Sequence, residues 1–229
     1  MINSSKYASV IGIRNNLHQL CEKKIPSTTI YASLYRFIKA NTVFDAGRGW
    51  YSTIQTPFTP QYDSVKEIVQ QLGKNFPQLQ FSLWSTEQLQ PFTQHLLSQF
   101  TIFVYTETDA IGPITEFLQN QNHTVYPNPK QTEVEKYLTT SNNRIIVRPL
   151  VTEEPLMGHY AAIEKILIDL FIEKDRLFLI DGAEYKRILE NLIFSNRINM
   201  GRLFRYSARR GLKSSIKKLL LGYKSEIIM

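Results

Sequence analysis

The chain has 229 residues, 43% of them hydrophobic, which is enough for one large domain or two small ones and excludes a disordered polymer. A single cysteine, Cys21, excludes an internal disulfide, and His18, His95, His123 and His159 stand singly, so no Cys/His metal spacing exists and no cofactor is expected. The net charge of +7 is segregated: residues 1–55 carry +5, residues 56–196 carry −6 and residues 197–229 carry +8.

Two basic ends around an acidic middle favour contact with a polyanion through counterion release, or else a basic tail that neutralises the middle by packing on it. No charged-then-apolar leader opens the chain, and its apolar runs fall far short of the ~20 residues that span a bilayer. A cytoplasmic protein without a membrane partner is expected.

Residues 1–24 are read as the first two helices of a DNA-binding motif, the second at Arg14–Lys24 with Leu17, Leu20 and Cys21 on one side. Pro26 interrupts the chain, and Ser27 or Thr28 can cap a new helix in which Ile30, Leu34 and Ile38 recur at helical spacing. Its other face offers Thr28, Thr29, Ser33, Arg36 and Lys39, hydroxyls and cations suited to phosphates and base edges in a major groove. The pattern then switches to Thr-Val-Phe, a turn at Asp45-Ala46-Gly47-Arg48-Gly49, and Trp50-Tyr51-Ser52-Thr53-Ile54. This is a hairpin with Arg48 at its tip. Helix followed by glycine-tipped hairpin predicts a winged helix-turn-helix over residues 1–58.

Two prolines between residues 55 and 65 mark a linker, with a boundary near Pro60. Helices are then predicted at Ser64–Asn75, Glu87–Ser98, Ile111–Asn120 and Thr132–Leu138, alternating with strands at Gln80–Trp84, Thr101–Tyr105, His123–Tyr126 and Arg144–Leu150. That alternation predicts an α/β (α+β) domain over residues 59–229 with a partly parallel sheet. Its last third is mainly helical: Tyr160–Ile172, Tyr185–Phe194, a helix capped by Asn199 and stopped at Gly211, and Leu212–Gly222, with Leu177–Ile180 as an edge strand.

Catalytic patterns are sparse. There is no paired Asp-x-Asp to hold a metal and triphosphate and no phosphate-cradling glycine loop. The pairs Glu107/Asp109, Glu133/Glu135 and Glu153/Glu154 read as solvated surface. Glu164 and Asp169 are five residues apart, about 140° around a helix, so they do not share a face as a catalytic pair would. They read instead as structural ion-pair partners for Arg144, Arg148 or Arg197. Arg202, Arg205 and Arg209 recur at i, i+3 and i+7 and, with Arg210, Lys213 and Lys217, form a basic surface suited to phosphate or carboxylate forks.

Gly47-Arg48-Gly49-Trp50-Tyr51, the Glu164–Asp169 helix and Arg205-Tyr-Ser-Ala-Arg-Arg-Gly211, in this order around an α/β middle, resemble the AbiEi-like antitoxins of bacterial abortive-infection systems. The resemblance covers most of the chain in layout. It implies a two-domain protein whose N-terminal winged helix binds inverted repeats in its own promoter, palindromic sites that would favour a dimer, and the leading expectation is a non-enzymatic repressor. It further implies a second domain that counters a nucleotidyltransferase-like toxin through the basic C-terminal surface. Two other readings stay open: a metal-dependent nuclease or nucleotidyltransferase using Glu164 and Asp169, and an interaction module that binds no DNA.

Overall fold

The computed structural model describes residues 5–21, 25–94, 99–133 and 144–229. The described elements begin β1 (Tyr7–Ser9), α1 (Val10–Cys21), α2 (Ser27–Lys39), β2 (Phe44–Asp45), β3 (Trp50–Ser52), α3 (Asp63–Asn75), β4 (Phe81–Ser85), β5 (Thr101–Thr106), α4 (Ile111–Asn120) and β6 (Val125–Pro127). They continue β7 (Arg144–Pro149), β8 (Leu156–Met157), β9 (Tyr160–Ala161), α5 (Ile163–Arg176), α6 (Gly182–Ser195), α7 (Met200–Arg209), α8 (Lys213–Leu220) and β10 (Ile227–Ile228). With helices beside two mixed sheets, the fold is α+β. The chain forms two compact units, a terminal unit of Met1–Phe58 with Leu192–Met229, and a middle unit of Thr59–Asn191.

The terminal unit is built on a four-stranded sheet in the order β10-β1-β3-β2. Tyr7 and Ala8 pair antiparallel with Ser52 and Tyr51 on one side and parallel with Ile227 and Ile228 on the other. The sequence expectation of two helices before Ser27 is therefore corrected: among the described residues one strand and one helix precede α2. Ala8, Ile13, Ile30 and Leu34 form a buried cluster closed by Val10, Leu17, Ile25, Tyr51 and Ile228. Gly12 permits the C-terminal strand to approach, since a Cβ there would lie 2.7 Å from the Met229 carbonyl carbon.

Further hydrogen bonds explain why residues 192–229 belong here rather than with the middle segment they follow. The Tyr7 hydroxyl donates to the Asn196 carbonyl at 2.9 Å and accepts from the Ile198 amide at 3.0 Å. Arg197 Nη1 donates to the carbonyls of Ile54 (2.9 Å) and Gln55 (2.6 Å), while its guanidinium lies 4.9 Å from the Phe44 ring centroid. The division thus differs at its C-terminal end from the sequence reading, which keeps residues 59–229 together.

The middle unit holds a six-stranded sheet in the order β6-β7-β5-β4-β9-β8. β5 pairs antiparallel with β4 and parallel with β7, and β6 and β9 also join in parallel. Val65, Ile68, Val69 and Leu72 of α3 and Ile114 and Leu118 of α4 close one core with Leu83, Val104, Ile145 and Val147 of the sheet. α5 is buried at ten of its 14 residues, among them Glu164, Lys165, Asp169, Glu173 and Lys174.

Three local expectations change. Pro26, not Ser27 or Thr28, precedes α2, and no side chain caps that end; the Pro26 carbonyl instead accepts from Thr29 and Ile30. Thr86–Phe92 is a 3₁₀ helix containing Pro91, which lacks the amide a longer helix needs, and residues 95–98 of the expected helix lie outside the described residues. Leu177–Ile180 forms no strand: Leu177 ends α5 and Phe178 turns the chain at φ 52°. Most of the helix expected at Thr132–Leu138, with Glu135, also falls outside the described residues.

Candidate nucleic-acid interface

α2 buries Ile30 and Leu34 and turns the rest of its surface outward. Thr28, Thr29, Ser33, Arg36 and Lys39 are all exposed, as is Arg48. They do not share one face. At about 100° per residue, Thr28 and Lys39 lie within about 20° of the pole opposite Ile30, and Arg36 about 60° from that pole. Thr29 and Ser33 fall about 100° and 60° from Ile30 instead. They line an open, mostly apolar groove of about 770 Å³ with Ile13, Leu17, Phe37 and Ile228.

Tyr31 and Tyr35, which the sequence reading passed over, occupy the outward flank at 50% and 58% exposure. Their i, i+4 spacing, which puts both on the flank beside Leu34 about 100° and 140° around the helix from Ile30, is the signal that could have found them. Lys39 Nζ lies 4.8 Å from the Tyr35 ring centroid. Such a face carries both a cation and stacking surface. The Tyr51 phenol is held above its ordinary value chiefly by burial, then by Tyr31 and Asp45, and the Tyr51 side chain of β3 packs against the cluster that holds Ile30 and Leu34 of α2.

The hairpin is tight because Gly47 (φ 100°) and Gly49 (φ 75°) supply two left-handed residues. The Trp50 amide donates to the Gly47 carbonyl at 2.8 Å, the Ala46 amide to the Trp50 carbonyl at 3.0 Å, and the Gly47 amide to Asp45 Oδ2 at 3.3 Å. Arg48 projects from this frame.

α7 packs directly on the hairpin. Asn199 caps the helix by accepting from the Arg202 amide at 2.9 Å, and Trp50 stacks on Phe204 with ring centroids 5.3 Å apart. Gly201 is needed at the crossing: a Cβ there would lie 2.9 Å from the Arg48 amide nitrogen. Met200, Leu203, Tyr206 and Ser207 are buried, while Arg202, Arg205 and Arg209 are exposed, Arg210 is half-buried and Lys213 and Lys217 of α8 are exposed. Gly211 ends this segment at φ 71°.

Glu164 and Asp169 lie in the other unit. Asp169 is fully buried and accepts from Lys165 Nζ at 2.7 Å, one turn away on α5, and the same ammonium meets Glu154 at 3.0 Å and the Tyr105 ring at 3.4 Å. Of the arginines expected as partners for Glu164 and Asp169, Arg148 pairs with Glu173 at 2.6 Å, Arg144 Nε donates to the Thr101 hydroxyl, and Arg197 donates to backbone carbonyls. Glu164 is also buried, and its charge contributes to raising the Tyr62 phenol. Among the described residues no group of three or more His, Cys, Asp and Glu is arranged to hold a metal ion.

Charge follows the structural division. The two segments of the terminal unit carry +5 and +8, so +13 resides there, and the middle unit carries −6. Among the described residues no helix is long and apolar enough to cross a membrane.

A family model described as "Family of unknown function (DUF6577)" matches residues 29–226, and the chain belongs to that family. No curated protein matches it.

Proposed function

We propose that this protein is a non-enzymatic, DNA-binding transcriptional repressor whose terminal unit is a winged helix-turn-helix. The observation that carries the reading is the +13 charge of the unit that also holds the helix–helix–hairpin order β1-α1-α2-β2-β3. In this reading α2 enters the major groove with Thr28, Arg36 and Lys39 foremost, and Arg48 meets the flanking phosphates. Thr29 and Ser33 contribute less, being turned toward the groove beside α1. Tyr31 and Tyr35 add stacking surface on the side of the hairpin.

The resemblance to AbiEi-like antitoxins extends the proposal. The protein would act in the cytoplasm, bind inverted repeats in its own promoter as a dimer, and counter a nucleotidyltransferase-like toxin. Fluorescence anisotropy of the full chain with its own upstream duplex and with a shuffled duplex, each across a salt series, tests the DNA component. A preference of ~10³-fold or more for the native duplex is the expected result. Equal, steeply salt-sensitive binding to both would reduce the proposal to a polyanion surface, and absence of binding would refute it. For the toxin component, the expected results are a nucleotidyltransferase-like gene beside this one and growth rescue when its product is co-expressed with this protein.

A further inference from the structure

We infer that the arginine stripe of α7 is part of the DNA interface, a phosphate track continuous with the hairpin tip, rather than a separate surface for a protein partner. The inference rests on the repressor reading and adds residues to it that lie more than 160 positions from α2 in sequence. Two features of the terminal unit carry it.

The first is contiguity. The hairpin tip and α7 meet at backbone distance, with the Gly201 Cα so close to Arg48 that a methyl group would lie 2.9 Å from its amide nitrogen. Phe204 fixes the same crossing from the next turn by stacking on Trp50. On a helical wheel Gly201 and Phe204 stand about 260° and 200° from Arg202, so the hairpin lies on that flank of α7. Arg205 and Arg209 stand at about 300° and 340°, next to the hairpin flank and opposite the buried Leu203 and Ser207. A polyanion that reaches Arg48 therefore passes beside Arg205 and Arg202.

The second is chemistry. Arg202 and Arg205 are exposed and make no side-chain hydrogen bond or ion pair among the described residues. From Arg202 to Arg209 the stripe runs seven residues, about 10 Å of helix, long enough to reach neighbouring phosphates of one DNA strand. Guanidinium forks suit phosphate oxygens, and pairings of this kind fix register without reading sequence. A protein partner on the stripe would have to share space with any duplex held by Arg48.

The test uses the full chain and its own upstream duplex in a salt series. The pair Arg202→Ala/Arg205→Ala is expected to shallow the slope of log K against log salt by about 0.9 for each phosphate left without its arginine, which is about fivefold in affinity per phosphate at 0.15 M salt. Arg202→Lys/Arg205→Lys is expected to keep most of the slope, showing that charge rather than folding is at stake. Lys66→Ala/Lys74→Ala removes as much charge from exposed positions of the middle unit and is expected to change neither slope nor affinity. An unaltered slope in the Arg→Ala pair, an equal loss in the Lys66/Lys74 pair, or a lysine pair as weak as the alanine pair would overturn the inference. Each of these leaves the repressor reading standing if the wild type still prefers its own duplex, whereas a wild type that binds no duplex sinks both.

Discussion

Replacing Lys165 with methionine should destabilise the middle unit severely. The ammonium is fully buried, sits 2.7 Å from Asp169 and 3.0 Å from Glu154, and lies 3.4 Å from the Tyr105 ring centroid. Methionine keeps much of the stem, so packing changes little while both carboxylates lose their cation. Breaking a buried pair by removing one partner costs about 3–5 kcal/mol, and a loss within that range is expected, because Glu154 keeps its bonds from the Ser82 hydroxyl and the Val151 amide. For a chain of this size about 2–4 °C of Tm accompanies each kcal/mol, so a thermal melt followed by circular dichroism should fall by roughly 10 °C or more. The triple change Lys165→Met/Asp169→Leu/Glu154→Gln should recover most of the loss, because it removes both uncompensated charges. A single variant that melts within about 2 °C of wild type would show that the triad is not the tightly coupled buried cluster described above. A stable Asp169→Asn protein that loses a metal-dependent nuclease activity would instead point to catalysis by α5.

Separation of the two faces of α2 gives a second expectation: Arg36→Ala and Arg48→Ala each weaken duplex binding about fivefold at 0.15 M salt, whereas Thr29→Ala and Ser33→Ala change it by less than about twofold, as read by anisotropy. Gly201→Ala should lower duplex affinity without altering net charge, since the added methyl pushes the hairpin tip away from α7; unchanged affinity and an unchanged melt would show that the crossing is looser than described. The Tyr62 phenol is held above the ordinary value of about 10 by burial, then by Glu164 and Tyr160. The folded chain therefore keeps a proton that the unfolded chain releases, so the associated stability is complete below pH 10 and is lost as pH rises through the folded value. Tyr62→Phe should flatten the fall in stability above pH 10 in denaturant melts, and an equally steep fall would assign it to other groups.

Signals carried within a few residues were legible in the sequence. Asn199 capping α7, Gly211 ending it, and the Gly47/Gly49 turn are all local, because a cap or a positive φ is decided by the residue itself. The apolar period of α3 and the β-rich run of β7 likewise stand where they were expected. The two strands that join the ends of this unit were not legible: Tyr7–Ser9 and Ile227–Ile228 are too short to show a period of two, have no turn signal beside them, and pair with each other across more than 200 residues of sequence. The cation for Asp169 was also missed. Lys165, four residues earlier, is its nearest neighbour on the helix, yet burial of a lysine is a tertiary fact that the sequence gives no reason to expect. The orientation of Thr29 and Ser33 was in principle available from helical angles, but only the groove beside α1 shows that the intermediate positions face it.

The parallel pairing of β10 with β1 has a consequence for synthesis. Domains ordinarily fold as they leave the ribosome, the first-made segment ahead of the last. Here residues 1–58 leave ahead of the middle unit, yet one edge of β1 stays unpaired until residues 227 and 228 have been made after it. The middle unit, made in between, can be complete before its predecessor, and its folding shortens the span the two ends must close. The basic unit therefore completes its sheet only after the middle unit has been made, and a product terminated before residue 227 leaves the edge of β1 unpaired.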